Sequence, residues 1–459
     1  MDPKIRHALM EIVGSENFTE TLIDLVSFSS DASEHQHRPD AAVWAQNTDQ
    51  VSAVLKLATE YGIPVTPRGA GTSLAGTAVP QHGGIVMDMS RMNEILKISI
   101  EDRLVVVQPG VIFDHLQRAL APYGFFFPPD PASSNVSTLG GNVATNAGGL
   151  KGAKYGVTRD YVLGLKVVLP NGSILKAGSK CMKSVSGYDL TRLFVGSEGT
   201  LGVVTEITLK INPKPSETST CSAFFDSIEE AGKAVSQIMR SGIIPSALEF
   251  LDRMSLKAVN ESTDINLPEA AAMLVVETDG YTHEETDYQM ARVIECFKAN
   301  NAKEITKAGS TEEAARLWLA RKSAYGVMTR LNYNITVEDI TVPISKVPEM
   351  LVKIEEIGKR RNVTIATVGH LGDGNLHPCI VYDGTDADEV ARVESTIEDL
   401  FKQAIELEGT LTGEHGIGLS KAPYMYLEHD EVAMDVMRGL KKLFDPKNIL
   451  NPGKMALEG

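Results

Sequence analysis

Residues 67 to 76 read Pro-Arg-Gly-Ala-Gly-Thr-Ser-Leu-Ala-Gly and follow a short run that is typical of a strand. Three glycines and two hydroxyl side chains in one loop expose backbone N–H groups and let a phosphate approach closely. The loop is not a P-loop, because no Gly-Lys-Ser/Thr sequence follows. It is not the dinucleotide-binding fingerprint either, because Leu74 stands where the third glycine belongs. The loop therefore predicts phosphate binding, with an ordinary flexible turn as the alternative.

A second segment rich in small residues runs from 138 to 149 and reads Thr-Leu-Gly-Gly-Asn-Val-Ala-Thr-Asn-Ala-Gly-Gly. This density of Gly, Ala and Asn predicts a backbone that lies flat against a large planar ligand. A flexible turn is again the alternative for this segment alone. The presence of two such segments in one chain favours a binding role for both.

A different chemistry is indicated by residues 369 to 377, Gly-His-Leu-Gly-Asp-Gly-Asn-Leu-His, and by residues 413 to 416, Gly-Glu-His-Gly. On a helix, His370 and His377 would share one face, but two interior glycines would cost about 2 kcal/mol. We therefore predict a tight loop that converges both rings on one point. A divalent metal is the usual reason to build such a loop. Ordinary polar loop histidines are the alternative.

Arg321 lies on the inward stripe of a predicted helix, which a capping box at residues 310–313 opens. The apolar members of this stripe are Leu317, Ala324, Met328 and Leu331. A buried guanidinium is costly without an anionic partner. The residues alone leave two partners open, a bound substrate carboxylate and a structural Asp or Glu.

The composition limits the class of protein. A length of 459 residues implies two or three domains. The 43% hydrophobic and 23% charged content is typical of a globular protein, and the net charge of −16 disfavours nucleic acid or anionic membrane as a partner. No apolar run approaches the roughly 20 residues of a membrane span. Four scattered cysteines suggest neither a disulfide framework nor a cysteine metal cluster, and the first residues look like neither a signal nor a transit peptide.

The pattern of apolar residues predicts the elements. Residues up to Arg38 look helical, and a helix is expected from Asp49 to Gly62, with Asp49 as its N-cap. The loop at residues 212–216 indicates a domain boundary, after which strands and helices alternate in an α+β pattern. Strands are predicted at residues 64–67, 84–89, 104–107, 165–169, 202–209 and 272–276.

Five segments together resemble one family, the FAD-linked oxidases of the vanillyl-alcohol oxidase type. These segments are residues 67–76, 129–131, 138–149, 196–202 and 451–454. With the histidine and Glu-His motifs added, the chain resembles the branch of D-lactate, glycolate and D-2-hydroxyglutarate dehydrogenases, from about residue 39 to 456. The resemblance implies an α+β fold with a two-part FAD-binding domain, an α+β substrate (cap) domain and a short C-terminal helical segment. The expected divisions are residues 1–38 (N-terminal helical segment), 39–213 (FAD-binding domain), 214–420 (substrate domain with the metal site) and 421–459 (C-terminal segment returning to the FAD site).

The resemblance also assigns residues to roles. His370, His377 and Glu414 would bind Zn²⁺, Fe²⁺ or Mn²⁺, His415 would be the base, and Arg321 would anchor the substrate carboxylate. FAD is expected to bind without a covalent link, because neither small-residue segment contains a histidine or cysteine. The implied FAD-binding residues are Pro67, Arg68, Gly69, Ala70, Gly71, Thr72, Ser73, Pro131, Thr138, Gly141, Asn142, Ala144, Gly148, Glu198, Gly202, Val204 and Asn451.

The implied reaction is oxidation of a D-2-hydroxy acid to the 2-oxo acid, with hydride transfer to the flavin and metal polarisation of the hydroxyl. Hydroxyglutarate members of the branch have a basic residue where this chain has Val337. They have a polar amide where it has Cys379. Both differences favour a monocarboxylate such as D-lactate, while glycolate, a longer aliphatic acid and D-2-hydroxyglutarate stay open.

No cluster-binding cysteine spacing, haem motif or second nucleotide fingerprint is found in the sequence. Electrons must therefore pass to oxygen, a quinone or another polypeptide, and the resemblance indicates an electron-transferring flavoprotein or an iron–sulfur subunit. We expect a bacterial or archaeal cytoplasmic protein, attached to a membrane only through a partner. The alternatives are a self-sufficient oxidase, a metal hydrolase or lyase with no redox step, and a subunit that only relays electrons.

Overall fold

The computed structural model describes residues 1–330 and 334–458, so Leu331 of the predicted helix stripe lies outside the described residues. Within these ranges the chain forms nineteen strands and fifteen α-helices. The strands are β1 (Phe18–Thr19), β2 (Ala41–Trp44), β3 (Val65–Arg68), β4 (Ile85–Asp88), β5 (Ile95–Ser99), β6 (Leu104–Val107), β7 (Phe125–Phe126), β8 (Val162–Val168), β9 (Ile174–Gly178), β10 (Val203–Lys210), β11 (Asn212–Pro213), β12 (Glu217–Phe225), β13 (Ala247–Asp252), β14 (Ala272–Gly280), β15 (Lys303–Lys307), β16 (Asn334–Val337), β17 (Ile340–Thr341), β18 (Thr364–His370) and β19 (Asn375–Tyr382). The helices are α1 (Pro3–Val13), α2 (Leu22–Ser27), α3 (Thr48–Tyr61), α4 (Phe113–Leu120), α5 (Leu139–Thr145), α6 (Gly152–Tyr155), α7 (Leu190–Phe194), α8 (Ile228–Arg240), α9 (Arg253–Ser262), α10 (His283–Ala299), α11 (Thr311–Met328), α12 (Val347–Arg361), α13 (Ala387–Glu406), α14 (Met425–Glu428) and α15 (Glu431–Phe444).

The chain divides into two compact units. The first unit comprises Met1–Gly148, Val157–Lys214 and Glu414–Gly459, and the second comprises Gly149–Gly156 and Pro215–Gly413. The first unit is therefore built from three separate stretches of sequence. None of the helices in the described ranges is long and apolar enough to cross a membrane.

The first unit contains a four-stranded sheet with the order β1-β2-β4-β3, in which β4 runs parallel to both β2 and β3. Helix α3 connects β2 to β3 and buries its apolar stripe, as its periodicity predicts. The prediction that Asp49 caps this helix is wrong, because the side chain of Asn47 accepts the hydrogen bond from Gln50 N at 2.9 Å. Asp49 instead lies in the first helical turn, where a carboxylate is favoured by the helix dipole.

A five-stranded antiparallel sheet with the order β5-β6-β10-β8-β9 completes the main body of the first unit. Its strands β6, β8 and β10 lie where strands are predicted, and β3, β4 and β14 confirm the other predictions. The N-terminal residues form helices as expected, but β1 also pairs with β2 at the edge of the parallel sheet. In the second small-residue segment, residues 139–145 form helix α5, so the prediction of a flat backbone is wrong there.

The second unit is built on an antiparallel sheet with the order β15-β12-β14-β13-β18-β19-β16, to which β17 adds by pairing with β19. Strands β18 and β19 form a hairpin whose register places Val368 opposite His377 and His370 opposite Asn375. A buried cluster of apolar residues from α9, α11 and this sheet includes Trp318, Ala324 and Cys379. This apolar cluster thus lies between α9, α11 and the sheet that includes the two histidine strands.

Candidate functional site

One face of the sheet in the second unit carries the chemically reactive side chains. Residues directly opposite each other in a ladder, and residues two apart along a strand, project to the same face. Glu249 stands opposite His370, and Val368 opposite His377. Because His370 and Val368 are two residues apart on β18, Glu249, His370 and His377 all project to one face.

The two histidines are close neighbours on this face. Their ring centroids are 5.1 Å apart with the planes at 81°, and a ring nitrogen of each lies within 4.8 Å of one in the other. The prediction that this segment is not helical is confirmed. The prediction of a loop is wrong for the histidines themselves, because His370 ends β18 and His377 lies within β19. Gly374 makes the connecting turn at φ 84°, and a side chain there would collide with the carbonyl oxygen of Val342.

Glu249 is a fully buried carboxylate that contacts two of the predicted site residues. Its Oε1 lies 2.7 Å from His370 Nδ1, and its Oε2 accepts a hydrogen bond from Arg321 Nε at 2.7 Å. Burial acts to raise the pKa of this carboxyl, but the charges of His370 and Arg321 outweigh burial and hold the pKa below its ordinary value. Glu249 is therefore an anion with both oxygens engaged. Sequence reasoning missed it, although a glutamate inside the apolar run of β13 signals a buried partner.

Asp339 occupies the corresponding position behind the second histidine. Its Oδ1 lies 3.6 Å from His377 Nδ1. The carboxylate also accepts hydrogen bonds from Asn375 Nδ2 at 2.7 Å and from Thr412 Oγ1 at 2.6 Å. Each histidine thus has a buried carboxylate next to its Nδ1 atom. Sequence analysis assigned no role to Asp339.

Arg321 lies on α11, whose start is as predicted, since Ser310 Oγ accepts a hydrogen bond from Glu313 N at 3.2 Å. Ala324 and Met328 on the same stripe are fully buried, and the side chain of Arg321 is 13% exposed. Of the two partners that the sequence left open, the structure contains the acidic side chain, Glu249. Among the side chains that the structure describes, no hydrogen bond is formed by the terminal guanidinium nitrogens.

The donor set of His370 and His377 fits a divalent metal. Metal-binding histidines almost always donate their other ring N–H to a carboxylate, carbonyl or water, which orients the ring and fixes its tautomer. Here Glu249 lies at hydrogen-bonding distance from His370 Nδ1, 2.7 Å, while Asp339 lies at the longer distance of 3.6 Å from His377 Nδ1. Ordinary polar histidines on a loop would not require two buried acidic partners.

Apart from Gly149, the two small-residue segments lie in the first unit, and they touch each other. A side chain at Gly69 would collide with Thr138 Oγ1, and this hydroxyl accepts a hydrogen bond from Gly141 N at 3.3 Å as the N-cap of α5. The polar atoms Asn142 Nδ2 and Asn451 Oδ1 are buried and have no hydrogen-bond partner within the described part of the chain. Such atoms are costly to bury unless a ligand satisfies them. The residues present therefore fit a polar cofactor such as FAD.

Arg68 supports the loop at residues 67–76, the first of these segments. Its side chain is buried, and Nη1 donates to the carbonyl oxygen of Ala78 at 3.4 Å. A side chain at Gly71 would collide with Nη2 of the same arginine, so the loop lies directly over the guanidinium.

The resemblance also assigns Pro131, Ala144, Gly202 and Val204 to FAD binding, and all four lie in the first unit. The carbonyl oxygen of Ala144 accepts from Glu198 N at 2.8 Å, and that of Pro131 accepts from Ser134 N at 2.9 Å. Gly202 lies against Val167 of β8, where a side chain would not fit, and Val204 packs on the core of the five-stranded sheet.

Glu198 connects this region to the chain just beyond the Glu414-His415 motif. Its carboxylate accepts hydrogen bonds from Ile417 N at 2.7 Å and Gly418 N at 2.8 Å, and its carbonyl oxygen accepts from Asn451 Nδ2. Burial raises the pKa of Glu198 to about 7, against the opposing effect of these hydrogen bonds. The resemblance placed this residue near the adenosine half of FAD, and the structure shows its carboxylate on the Ile417 segment.

Glu414 and His415 belong to the first unit, and both side chains are largely buried. His415 Nε2 and Glu414 Oε1 are 3.8 Å apart. A Cβ atom at Gly148 would lie 2.8 Å from Glu414 Oε2. The end of the second small-residue segment is therefore in contact with Glu414.

Two family descriptions match the chain. The FAD binding domain matches residues 39–178, and the C-terminal domain of FAD linked oxidases matches residues 214–455. The chain belongs to the FAD-linked oxidase family, and it is an FAD-dependent oxidoreductase. Its fold is the α+β, two-part arrangement of the vanillyl-alcohol oxidase type, as predicted.

Two proteins of similar sequence and one solved structure show in detail what the chain resembles. Glycolate oxidase subunit GlcD of Bacillus subtilis (strain 168) is 45% identical over 453 residues, which cover 98% of this chain and 96% of that protein. D-lactate dehydrogenase of Anaerostipes hadrus is 34% identical, covering 91% of this chain and 90% of that protein. Among solved structures, p-cresol methylhydroxylase with substrate bound has a TM-score of 0.82 at 19% identity, covering 98% of this chain and 96% of that chain. At that identity the likeness shows the fold alone, while the curated relatives support FAD-dependent oxidation of a hydroxy acid.

Proposed function

We propose that this protein is an FAD-dependent, metal-assisted dehydrogenase of D-2-hydroxy acids, with D-lactate as the favoured substrate. The single observation that carries the proposal is the sheet face that holds His370 and His377 beside buried carboxylates, one of which, Glu249, also binds Arg321 of α11. A cation for the substrate carboxylate and two oriented imidazoles for a metal are the groups that this reaction needs.

FAD would be held by the two small-residue segments, with Asn142 and Asn451 offering the buried polar atoms that the protein itself does not satisfy. His370, His377 and Glu414 would hold Zn²⁺, Fe²⁺ or Mn²⁺. When bound, the flavin supplies the hydride acceptor and the metal supplies a Lewis acid for the substrate hydroxyl. The remaining steps fall to side chains of this chain.

Arg321 binds and orients the substrate. Its Nε is engaged by Glu249, so the terminal edge formed by Nη1 and Nη2 is the edge that meets a carboxylate with two parallel hydrogen bonds. This contact fixes the position of C2, the carbon that is oxidised. Fixing a reactant in this way supplies a large part of the rate enhancement in many enzymes.

His415 is proposed as the base that takes the proton of the 2-hydroxyl group. Neutral imidazole is suited to this role near neutral pH. The side chain follows Glu414 directly and is held in a segment that Glu198 fixes by its hydrogen bonds to Ile417 and Gly418. Proton removal at the oxygen and loss of hydride from C2 together leave the 2-oxo acid.

Val337 and Cys379 support a substrate with one carboxylate. They form a cross-strand pair in which neither side chain carries a charge, and burial raises the pKa of the Cys379 thiol to about 12, so it stays neutral. Glycolate is the second candidate, and it is favoured by the 45% identity to a glycolate oxidase subunit. D-2-hydroxyglutarate would need a partner for its second carboxylate.

The electrons are proposed to leave for a protein partner, an electron-transferring flavoprotein or an iron–sulfur subunit. The described part of the chain offers no cysteine cluster that could hold such a centre itself, and one relative is named as a subunit. The proposal also keeps the expected location in a bacterial or archaeal cytoplasm.

Anaerobic flavin reduction tests the proposal. D-lactate, L-lactate, glycolate and D-2-hydroxyglutarate are added separately to the purified yellow protein while the flavin absorbance is followed. Fast bleaching by D-lactate, with slower bleaching by the other three acids, is expected. Bleaching by glycolate alone supports the second candidate, and no bleaching by any of the four contradicts a hydroxy-acid dehydrogenase.

A further inference from the structure

Glu249 divides its two carboxylate oxygens between two residues that have different roles in the proposed function. Oε1 lies 2.7 Å from Nδ1 of His370, a proposed metal ligand, and Oε2 lies 2.7 Å from Nε of Arg321, the proposed substrate anchor. The side chain is fully buried on the central strand β13, directly opposite His370 in the ladder. Its position is therefore fixed by the backbone of the sheet.

The contact with His370 determines the tautomer of that ring. Oε1 of Glu249 lies 2.7 Å from Nδ1 while Oε2 accepts from Arg321 Nε, so this geometry matches the carboxylate as acceptor to a proton on Nδ1. In the neutral form of the ring the lone pair then lies on Nε2, which is the nitrogen that can bind a metal. Carboxylate–histidine contacts of this kind orient the ring and make it a better ligand.

The contact with Arg321 determines the orientation of the guanidinium. A planar guanidinium held through Nε cannot rotate away, and its Nη1–Nη2 edge is turned away from Glu249. Within the described residues, Glu249 is the hydrogen-bond partner of this arginine. Both oxygens of Glu249 are thus in contact with a site residue, Oε1 with His370 and Oε2 with Arg321.

We infer that Glu249 is a shared positioning residue, which holds Arg321 for the substrate carboxylate and His370 for the metal. This inference rests on the proposed function and deepens it, because a single buried side chain then sets the geometry of both binding events. A carboxylate that only neutralised a buried arginine would affect neither the metal nor the ring of His370.

Glu249→Gln is the test, because glutamine keeps the size of the side chain and loses its charge. The amide can accept from only one of the two neighbours. In metal-depleted, flavin-loaded protein, the affinity for Zn²⁺ measured by titration calorimetry is expected to fall about 10- to 100-fold. At saturating Zn²⁺, KM for D-lactate is expected to rise about tenfold or more while kcat falls by a smaller factor.

Glu277→Gln is the matched control. Glu277 is a partly buried carboxylate on the adjacent strand β14, opposite Ala247, and it accepts a hydrogen bond from Ser246 Oγ at 3.1 Å. If the loss of a buried charge in this sheet has no general effect, Glu277→Gln should change the Zn²⁺ affinity and the KM for D-lactate by less than about twofold. For Glu249→Gln, a change in only one of the two quantities, or in neither, overturns the shared role.

A second measurement does not depend on the variant folding. Long-range ¹H–¹⁵N spectra of metal-free wild-type protein with labelled histidine report the tautomer of each ring, and His370→Gln identifies the signal. A proton on Nδ1 of His370 supports the inference, and a proton on Nε2 overturns it. Flavin reduction of the wild type by D-lactate tests the proposed function separately, because neither the Zn²⁺ titration nor the spectra require turnover.

Discussion

Val337 and Cys379 stand directly opposite each other in β16 and β19. Cys379 is two residues from His377 on β19, so the pair projects to the sheet face that carries the histidines. The resemblance pointed to these two positions separately, and the structure shows that they are neighbours. An uncharged pair therefore lies beside His377 at the positions where hydroxyglutarate members have a basic residue and an amide.

The Val337→Lys variant is predicted to shift substrate preference. A cation at this position would pair with a second carboxylate, so kcat/KM for D-2-hydroxyglutarate should rise by about tenfold relative to that for D-lactate. Steady-state kinetics with both acids measures the ratio. Val337→Met, which adds length without charge, should leave the ratio near the wild-type value. An unchanged ratio in the lysine variant would mean that this pair is remote from the substrate.

The second prediction separates the base from the metal ligands. His415→Asn should keep the bound metal and lose about 10² to 10⁴ in turnover, the usual cost of removing a general base. His377→Ala should lose both the metal and the activity. Metal analysis after gel filtration and flavin reduction rates provide the two readouts, with the exposed His283→Asn as control. Full activity in metal-free wild-type enzyme would contradict the Lewis-acid role.

The third prediction concerns the flavin linkage. Neither small-residue segment contains a histidine or cysteine, so the usual attachment residues are missing there. Acid precipitation should leave a colourless pellet and a yellow supernatant. A pellet that stays yellow after washing would contradict non-covalent binding.

The fourth prediction concerns the electron acceptor. Turnover of D-lactate should be slow in air and fast with an artificial acceptor such as dichlorophenolindophenol, because the reduced flavin is proposed to discharge to a protein partner. Oxygen uptake and dye bleaching are compared at equal substrate concentration. Stoichiometric hydrogen peroxide, formed in air at a rate comparable to the dye rate, would identify a self-sufficient oxidase instead.

The fifth prediction concerns stability and pH at Glu198. Burial raises its folded pKa to about 7 from the ordinary 4.5, with Lys454 and Lys421 the charged groups that oppose the shift. Since the folded value is the higher one, the stabilising contribution is complete below about pH 4.5 and is lost as pH rises to about 7.

Denaturant titrations at several pH values measure this effect against Glu198→Gln, which cannot titrate. The free energy of unfolding of the wild type minus that of the variant should decrease between these two pH values. A difference that stays constant or increases over this range would mean that the carboxylate is ionised at low pH in the folded protein.

Local patterns predicted the elements well, because they depend on neighbours in sequence. The strand and helix positions along the first unit and the start of α11 follow from apolar spacing and capping residues. The error at Asp49 arose because the helix begins earlier than predicted, at Thr48, so the capping position falls on Asn47.

Long-range partners could not be predicted in the same way. Glu249 and His370 are separated by 121 residues, and only the ladder between β13 and β18 brings them together. The sequence did identify the two histidines and the arginine as chemically unusual. Glu249 and Asp339, the carboxylates beside the two histidines, belong to no recognisable motif. Their burial, which identifies them in the structure, could not be read from the sequence.

The first unit includes Glu414–Gly459, a stretch that the ribosome makes only after the whole of Pro215–Gly413. Asn451 then binds the carbonyl oxygens of Thr77 and Glu198, and Leu450 pairs with Val65 next to the first small-residue segment. The earliest and latest parts of the chain therefore have to meet before this unit is complete, whereas residues 215–413 can fold while synthesis continues. A ribosome stalled before residue 451 would therefore carry a nascent chain that lacks these contacts, and with them the Asn451 part of the proposed flavin site.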